Sequence, residues 1–459
     1  MFWTDRGTAE DSRPFIVDSE TTYTFAEVFT MGDEFFSGIE RGIALIACKK
    51  NLETIALYCG ALRANVVPLL IDADMVEASV IELAELYEVE YILTDQDLAL
   101  EGYNCVDSFR SMKMFKRNLV VSESLFDDLC LLLPTSGSTG DPKCVRMSAL
   151  NITSATESIV RYMGLSSDRV SISSLPLHYT FGLSVLNCAL ESRSSFVITD
   201  LSWLDRAFWQ LAEKEKVTDL SGVPFMFEVL RRVRLTDSLY ESLKCVNQAG
   251  GRLEPKLTEY FLEQFEKRDV EYLTMYGQTE ASPRISYVPA NQGKLKVGTI
   301  GVPLDIGSLQ TDADDGMDEG ELIYRGPNVC LGYARKRSDL SLGDDNNGVL
   351  YTGDVGVIDS DGFATIVGRK KRFAKIFGMS VNLDALESMA KGCVEKSAVI
   401  ARDDLIIVVE AEDRAKELRE YILSKVNFPP RGLKCLTIEE LPFKSSGKLD
   451  YQKLMGDFL

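Results

Sequence analysis

Between Arg41 and Ile71 an apolar run, Ile43-Ala-Leu-Ile-Ala-Cys48, gives way to Leu52, Ile55, Cys59 and Leu62 at helical spacing, and then to a second apolar run, Val66-Val-Pro-Leu-Leu-Ile71. Such a stretch reads as one β-α-β unit, because period-3.6 text between two short apolar runs places a helix over a pair of buried strands. The rhythm returns at Val170-Ser-Ile-Ser, a helical pattern from Phe181 to Glu191, and Ser195-Phe-Val-Ile-Thr199, and further alternations run to about Tyr276. This repetition predicts an α/β chain of stacked, mostly parallel sheets covered by helices, with ligands held at the carboxyl ends of the strands.

From Lys294 the pattern changes to short, Gly-rich strand text such as Gly320-Glu-Leu-Ile-Tyr and Gly348-Val-Leu-Tyr-Thr-Gly-Asp354. A β-rich subdomain over about 294–367, without a helical stretch, is expected there. After Gly368 comes a basic cluster, Arg369-Lys-Lys-Arg372, followed by strand, helix, hairpin and helix signals to Leu459. The hairpin is the clearest of these, with Ser397-Ala-Val-Ile and Leu405-Ile-Ile-Val-Val flanking Arg402-Asp-Asp404. The expected division is a large N-terminal domain over 1–368 and a small, mobile α+β domain over 369–459, since 459 residues exceed what one core holds.

Composition narrows the chemistry. Seventy acidic residues against 50 basic ones leave a formal charge of −20, a surface that repels nucleic acid and anionic lipid, so an anionic ligand must be met by local donors. Ten cysteines stand singly, without a C-x-x-C pair, and read as reduced, mostly buried thiols. The N-terminus has no signal-like apolar run and no stretch is apolar enough to be an integral membrane segment, so a cytoplasmic protein is expected. His178 is the single histidine, which excludes multi-histidine metal sites by count.

The segment Leu131-Leu-Leu-Pro-Thr135-Ser136-Gly137-Ser138-Thr139-Gly140-Asp-Pro-Lys143 delivers an apolar strand into a loop of small hydroxyl and glycine residues closed by a lysine. Glycines let backbone N–H groups approach phosphate oxygens, hydroxyls add donors, and the lysine adds a point charge. Taken alone, the loop reads more readily as a solvated turn, and it is not a Walker A loop, because Lys143 follows Asp-Pro and no Ser or Thr comes after it.

Thr-Ser-Gly-Ser-Thr-Gly-Asp-Pro-Lys resembles, almost letter for letter, the signature of the adenylate-forming superfamily of acyl-CoA synthetases, peptide-synthetase adenylation domains and luciferases, and the resemblance extends over nearly the whole chain. The resemblance implies a role for each motif. Thr135 to Thr139, Gly140 and Lys143 would hold the phosphates of ATP. In Tyr276-Gly277-Gln278-Thr279-Glu280 the tyrosine would pack on adenine, Thr279 would contact the α-phosphate, and Glu280, with Thr135, would hold magnesium. Gln248-Ala249-Gly250-Gly251-Arg252 would offer backbone to the base. Asp354 of Tyr351-Thr-Gly-Asp354 and Arg369 of Gly368-Arg369 would take the ribose hydroxyls, a carboxylate being able to accept from both.

Lys371 falls at the family's hinge, followed by Arg372 where an acidic residue is more common. Lys375-Ile-Phe-Gly378 resembles the loop lining the thiol tunnel, with Ser380 where a basic residue is usual. Lys448 of Leu441-Pro-Phe-Lys-Ser-Ser-Gly-Lys448 would be the catalytic lysine joining carboxylate to α-phosphate, where a cation suits the growing charge.

The acid would lie against Leu175-Pro-Leu-His178-Tyr-Thr-Phe181-Gly182 and Ser221-Gly-Val223-Pro224, with His178 bordering the reacting carboxylate. Amino-acid-activating relatives carry an aspartate near this Phe to hold the α-ammonium, whereas Gly182 stands here, so an acyl or aryl acid is expected. The implied activity is ATP- and magnesium-dependent activation of a carboxylic acid to its acyl-AMP, followed by transfer to coenzyme A. The alternative acceptor is the phosphopantetheine of an acyl carrier protein. A non-catalytic nucleotide-binding relative would be expected to lack Lys448, Glu280 or Asp354, and all three are present.

Overall fold

The computed structural model describes residues 1–3, 11–18, 21–97, 101–136, 142–313, 318–376, 379–402, 405–426, 429–443 and 449–458. These form two compact units, one of residues 1–309 and 324–350, the other of residues 310–323 and 351–459. The expected boundary at Gly368 and Arg369 falls inside the second unit, at the end of the strand Ala364–Arg369.

Two large sheets build the first unit. One runs in the order Val302–Pro303, Ser286–Tyr287, Glu271–Tyr276, Cys245–Gln248, Asp219–Gly222, Val170–Ile172, Ser195–Ile198, Pro14–Asp18, Thr21–Thr24. Its stretch from Glu271–Tyr276 through Pro14–Asp18 is parallel, and the strands outside it are antiparallel. The other runs Gly332–Ala334, Pro142–Ser148, Leu129–Ser136, Val67–Asp72, Ile43–Cys48, Tyr91–Thr94, Met112–Arg117, Tyr103–Phe109, and only its centre, from Leu129–Ser136 to Tyr91–Thr94, is parallel. Both predicted β-α-β units are present, with Ile43–Cys48 paired to Val67–Asp72 around the helix Leu52–Arg63, and Val170–Ile172 paired to Ser195–Ile198 around the helix Thr180–Ser192.

Burial explains why these strands read as unbroken apolar runs. Ala44, Ile46 and Cys48 enter one core with Leu52, Ile55, Cys59 and Leu62, while Ile43, Leu45 and Ala47 enter a second core on the opposite face. A strand covered on both sides has no polar position to alternate with. The first core also takes Leu183, Leu186 and Leu190 from the helix Thr180–Ser192 and Phe15 and Ile16 from the other sheet, so helices fill the space between the two sheets. All ten cysteines are free thiols, six of them buried, and burial pushes those of Cys59, Cys144 and Cys188 up to about 12.

In the second unit Val349–Ile358 and Ala364–Arg369 pair antiparallel within a four-stranded sheet, and Phe373–Ile376 pairs with Met379–Asn382. The predicted hairpin is present as Ser397–Arg402 against Leu405–Glu410. A further strand, Leu433–Thr437, joins it in parallel through the helix Ala415–Lys425, and its apolar side covers Ile406 and Val408. Among the described residues of 294–368 the only helical element is the 3-10 turn Arg337–Ser341. No helix among the described residues is long and apolar enough to cross a membrane.

Candidate active site

Parallel neighbours release their loops at the same end, and here they release the residues the sequence singled out. Val223 and Pro224 follow Asp219–Gly222, Ala249 to Gly251 follow Cys245–Gln248, and Gly277 to Glu280 follow Glu271–Tyr276. His178 and Tyr179 lie on the loop after Val170–Ile172, which pairs in parallel with Asp219–Gly222. Gly250 has φ +83°, and a Cβ there would come within 2.9 Å of the Tyr179 hydroxyl and 3.0 Å of Val223 Cγ1, so the three loops meet around a position that admits no side chain.

The phosphate-loop hairpin belongs to the other sheet. Leu129–Ser136 and Pro142–Ser148 are antiparallel with Thr135 opposite Lys143, while Gly137 to Gly140 of the expected loop lie outside the described residues. A short strand ties this hairpin to the ends of the first sheet. Gly332–Ala334 pairs with Pro142–Ser148, placing Tyr333 opposite Val145. The Lys143 ammonium sits 3.4 Å from the centre of the Tyr333 ring, and the Tyr333 hydroxyl donates to Glu280 Oε1 at 2.5 Å. Cys330 N–H donates to the Glu280 carbonyl at 2.9 Å. Lys143, Tyr333 and Glu280 are thus consecutive contacts, with burial and the neighbouring carboxylate pushing the Tyr333 hydroxyl up so that it stays a donor.

Arg146, fully buried, holds that strand in place. Its guanidinium donates to the carbonyls of Leu331, Tyr333, Leu342 and Gly343 and pairs with the Asp345 carboxylate. From the next helix, Ala149–Tyr162, the amide of Asn151 donates to the carbonyls of Pro327 and Val329 at 2.8 and 2.7 Å.

Thr279 and Thr180 share a hydroxyl–hydroxyl bond of 2.9 Å, which joins the tyrosine-glycine motif to the start of the helix Thr180–Ser192. Gln278 donates to the Tyr276 hydroxyl at 3.1 Å. The Oγ1 of Thr135 is buried and makes no hydrogen bond among the described residues, an orphaned hydroxyl that could donate to a phosphate oxygen or offer its lone pair to a cation. No group of three or more His, Cys, Asp or Glu side chains able to hold a metal occurs among the described residues.

Along the expected acid site, Phe181 is buried, and a Cβ at Gly182 would stand 2.2 Å from the Pro176 carbonyl. An aspartate at 182 is therefore sterically barred as well as absent. His178 Nε2 lies 3.7 Å from Asp72 Oδ2, and its Nδ1 is buried without a hydrogen-bond partner among the described residues. Burial lowers the His178 pKa against the opposing pull of Asp72 and Asp74, which favours the neutral ring.

In the second unit Asp354, buried, accepts from Arg369 Nε at 3.1 Å, the two being directly opposite in the strand pair Val349–Ile358 and Ala364–Arg369. The backbone of Lys371 lies in the 3-10 turn Lys370–Arg372 and that of Lys375 in the strand Phe373–Ile376. Arg372 turns inward to Asp384 at 2.8 Å, Glu387 at 3.0 Å and the Val399 carbonyl at 2.6 Å. Gly378 and Lys448 lie outside the described residues. Sequence reasoning missed Tyr333, Arg146, Thr180 and Asp72; of these only Thr180 sits in a segment that the motifs single out.

The pattern of the AMP-binding enzyme family matches residues 3–334. A 2-succinylbenzoate–CoA ligase of Bacillus cereus (strain Q1) is 25% identical over 431 residues, covering 90% of this chain and 88% of that protein. One from Staphylococcus epidermidis (strain ATCC 35984) is 22% identical over 475 residues, covering 100% and 98%. The o-succinylbenzoate CoA synthetase of Bacillus subtilis, solved with its acyl-adenylate intermediate, superposes with a TM-score of 0.79 at 21% identity, covering 96% of this chain and 95% of that one. ATP-bound MatB from Rhodopseudomonas palustris gives 0.76 at 21% identity, covering 98% and 96%. With the family pattern spanning the hairpin of Thr135 and Lys143, the glycines at 250 and 251 and the strap that carries Tyr333, this chain belongs to the AMP-binding enzyme family.

Proposed function

We infer that the chain is an AMP-forming acid–thiol ligase, which activates a carboxylic acid as its acyl-AMP with release of pyrophosphate and transfers the acyl group to coenzyme A. The observation that carries this reading is the run of contacts from Lys143 through Tyr333 to Glu280, in which one ring joins a phosphate-seeking cation on the hairpin to a cation-seeking carboxylate just past the carboxyl end of a parallel strand. A carboxylate beside a triphosphate is useful only with a cation between them. Magnesium, when bound, would neutralise the developing phosphate charge, and Glu280 and the unpartnered Thr135 hydroxyl are the side chains suited to hold it.

The remaining roles rest on chemistry. Ala249 to Gly251 and Tyr276 present backbone and ring to the adenine, Asp354 and Arg369 serve the ribose hydroxyls, and the neutral His178 borders the reacting carboxylate. Lys448 brings the carboxylate to the α-phosphate. The hinge at Lys371 and the loop from Lys375 to Gly378 serve the thiol-transfer step, in a small domain over 369–459.

Replacing Lys448 with Ala tests the scheme. Acid-dependent pyrophosphate release should fall by about 10²-fold or more, while thioester formation from supplied acyl-AMP stays near wild type. Equal loss of both half-reactions would contradict it.

A further inference from the structure

Arg372 and Tyr451, from distant parts of the second unit's sequence, close on one buried carboxylate. Glu387, on the helix Leu383–Lys391, is 6% exposed. It accepts from Arg372 Nη2 at 3.0 Å, from Val399 N–H at 3.1 Å and from Lys391 Nζ at 2.8 Å, and the Tyr451 hydroxyl sits 2.8 Å from both of its oxygens. Arg372 and Tyr451 also meet each other, with the guanidinium carbon 4.2 Å from the centre of the ring. Burial and the facing carboxylate push the Tyr451 hydroxyl up, so it remains a donor.

Each of the two sits beside a residue with an expected role. Arg372 follows Lys371, the expected hinge, and is a base where an acid is more common. Tyr451 opens the last helix, Tyr451–Phe458, three residues after Lys448. The described residues that flank the Lys448 segment are drawn together, Phe443 forming an antiparallel bridge with Leu449 and Asp450 N–H donating to the Pro442 carbonyl at 2.8 Å. Leu441 and Leu454 are buried in one apolar cluster with Ile400 and Val409 of the hairpin, against which Leu449 and Tyr451 pack. One carboxylate thus fixes both the residue that leaves the hinge and the base of the segment that holds Lys448. A buried carboxylate and a buried guanidinium are each costly alone, so a pair with its remaining hydrogen bonds satisfied holds its elements together as one body.

We propose that Glu387, through Tyr451 and Arg372, is the positioning residue that carries rotation at the hinge to Lys448 and so sets where the lysine acts in adenylation. The proposal rests on the acid-activating reading above, in which Lys448 serves the first half-reaction and the thiol-transfer step does without it. Loosening the base of its segment therefore costs the first half-reaction and spares the second. The cluster also accounts for the base at 372, since an acid there would face Asp384 and Glu387 with like charge.

The test uses the full chain and follows the two half-reactions separately: pyrophosphate release with ATP and magnesium, using the best-used member of a panel of aryl and straight-chain carboxylic acids, and thioester formation from that acid's acyl-AMP with coenzyme A. Tyr451→Phe keeps the ring beside Arg372 and removes the hydroxyl, and Glu387→Gln keeps the shape and removes the charge. Each should lower kcat for pyrophosphate release by about 10-fold, with the KM for ATP and thioester formation both within about 3-fold of wild type. The double variant should be about as slow as the slower single one, because both changes remove the same contact. Equal loss of the two half-reactions would make the cluster merely structural and overturn the proposal, as would unchanged pyrophosphate release. Tyr451→Phe decides the matter even if Glu387→Gln fails to fold. A wild-type chain that releases pyrophosphate with no acid of the panel would instead overturn the acid-activating reading itself.

Discussion

Tyr333 donates its hydroxyl to the Glu280 carboxylate at 2.5 Å, although one lies on the strand Gly332–Ala334 and the other in the 3-10 turn Thr279–Ala281, 53 positions apart in the chain. The same ring stacks under the Lys143 ammonium, so one tyrosine orients both the anion and the cation of the proposed nucleotide site. Tyr333→Phe keeps the ring and removes the donor. A hydrogen bond to a charged, partly exposed carboxylate contributes on the order of 1 kcal/mol, so the KM for Mg-ATP should rise about 5-fold with kcat changed less. Tyr333→Ala should cost more than Phe in the same assay, because the stacking under Lys143 is lost as well.

Arg146 governs whether Tyr333 is there at all. Its guanidinium satisfies four carbonyls of the 331–343 segment and meets Asp345 from a fully buried position. Arg146→Met removes the guanidinium donors from those acceptors, and breaking such a buried network should destabilise the chain by about 3 kcal/mol, read as a lower urea midpoint. Activity should fall with it even below the unfolding transition, since the strap carries the contact to Glu280.

His178 gives a pH signature. Its pKa is held below the ordinary imidazole value by burial, so the folded state resists a proton that the unfolded chain accepts. The stability this contributes is complete above the unfolded value of about 6.5 and is lost as pH falls from there through the folded pKa. Denaturant unfolding of wild type and His178→Gln, compared between about pH 7.5 and about pH 5.5, should therefore show the wild type losing its margin over the variant on acidification. A constant difference across that range would contradict the neutral, buried ring.

Much of the architecture was readable because burial on both faces writes itself into the text: Ile43–Cys48 has no polar residue, and the helix beside it keeps strict spacing. The terminal hairpin was equally plain, two apolar runs around Arg402 and the residues after it. The antiparallel margins were not legible, because a two-residue strand such as Ser286–Tyr287 has no periodicity to detect. The motif residues of the site were found by their resemblance to the family's signatures, but their connector was not. Gly332–Ala334 is three residues long, and its partners are nearly 190 positions earlier. Arg146 was not singled out in the sequence and Arg372 was noted only beside the hinge, since nothing local distinguishes a solvated arginine from one turned into the core; only the fold shows Arg372 pairing with Asp384 and Glu387.

The central claim concerns which bond of ATP is broken and by what. Supplying the acid with 18O in its carboxylate and analysing the products by mass spectrometry follows the oxygen directly. Attack of the carboxylate on the α-phosphate places one labelled oxygen in AMP, with unlabelled pyrophosphate and an equal amount of acyl-CoA. Label appearing in inorganic phosphate beside ADP, or AMP formed without label, would contradict the account.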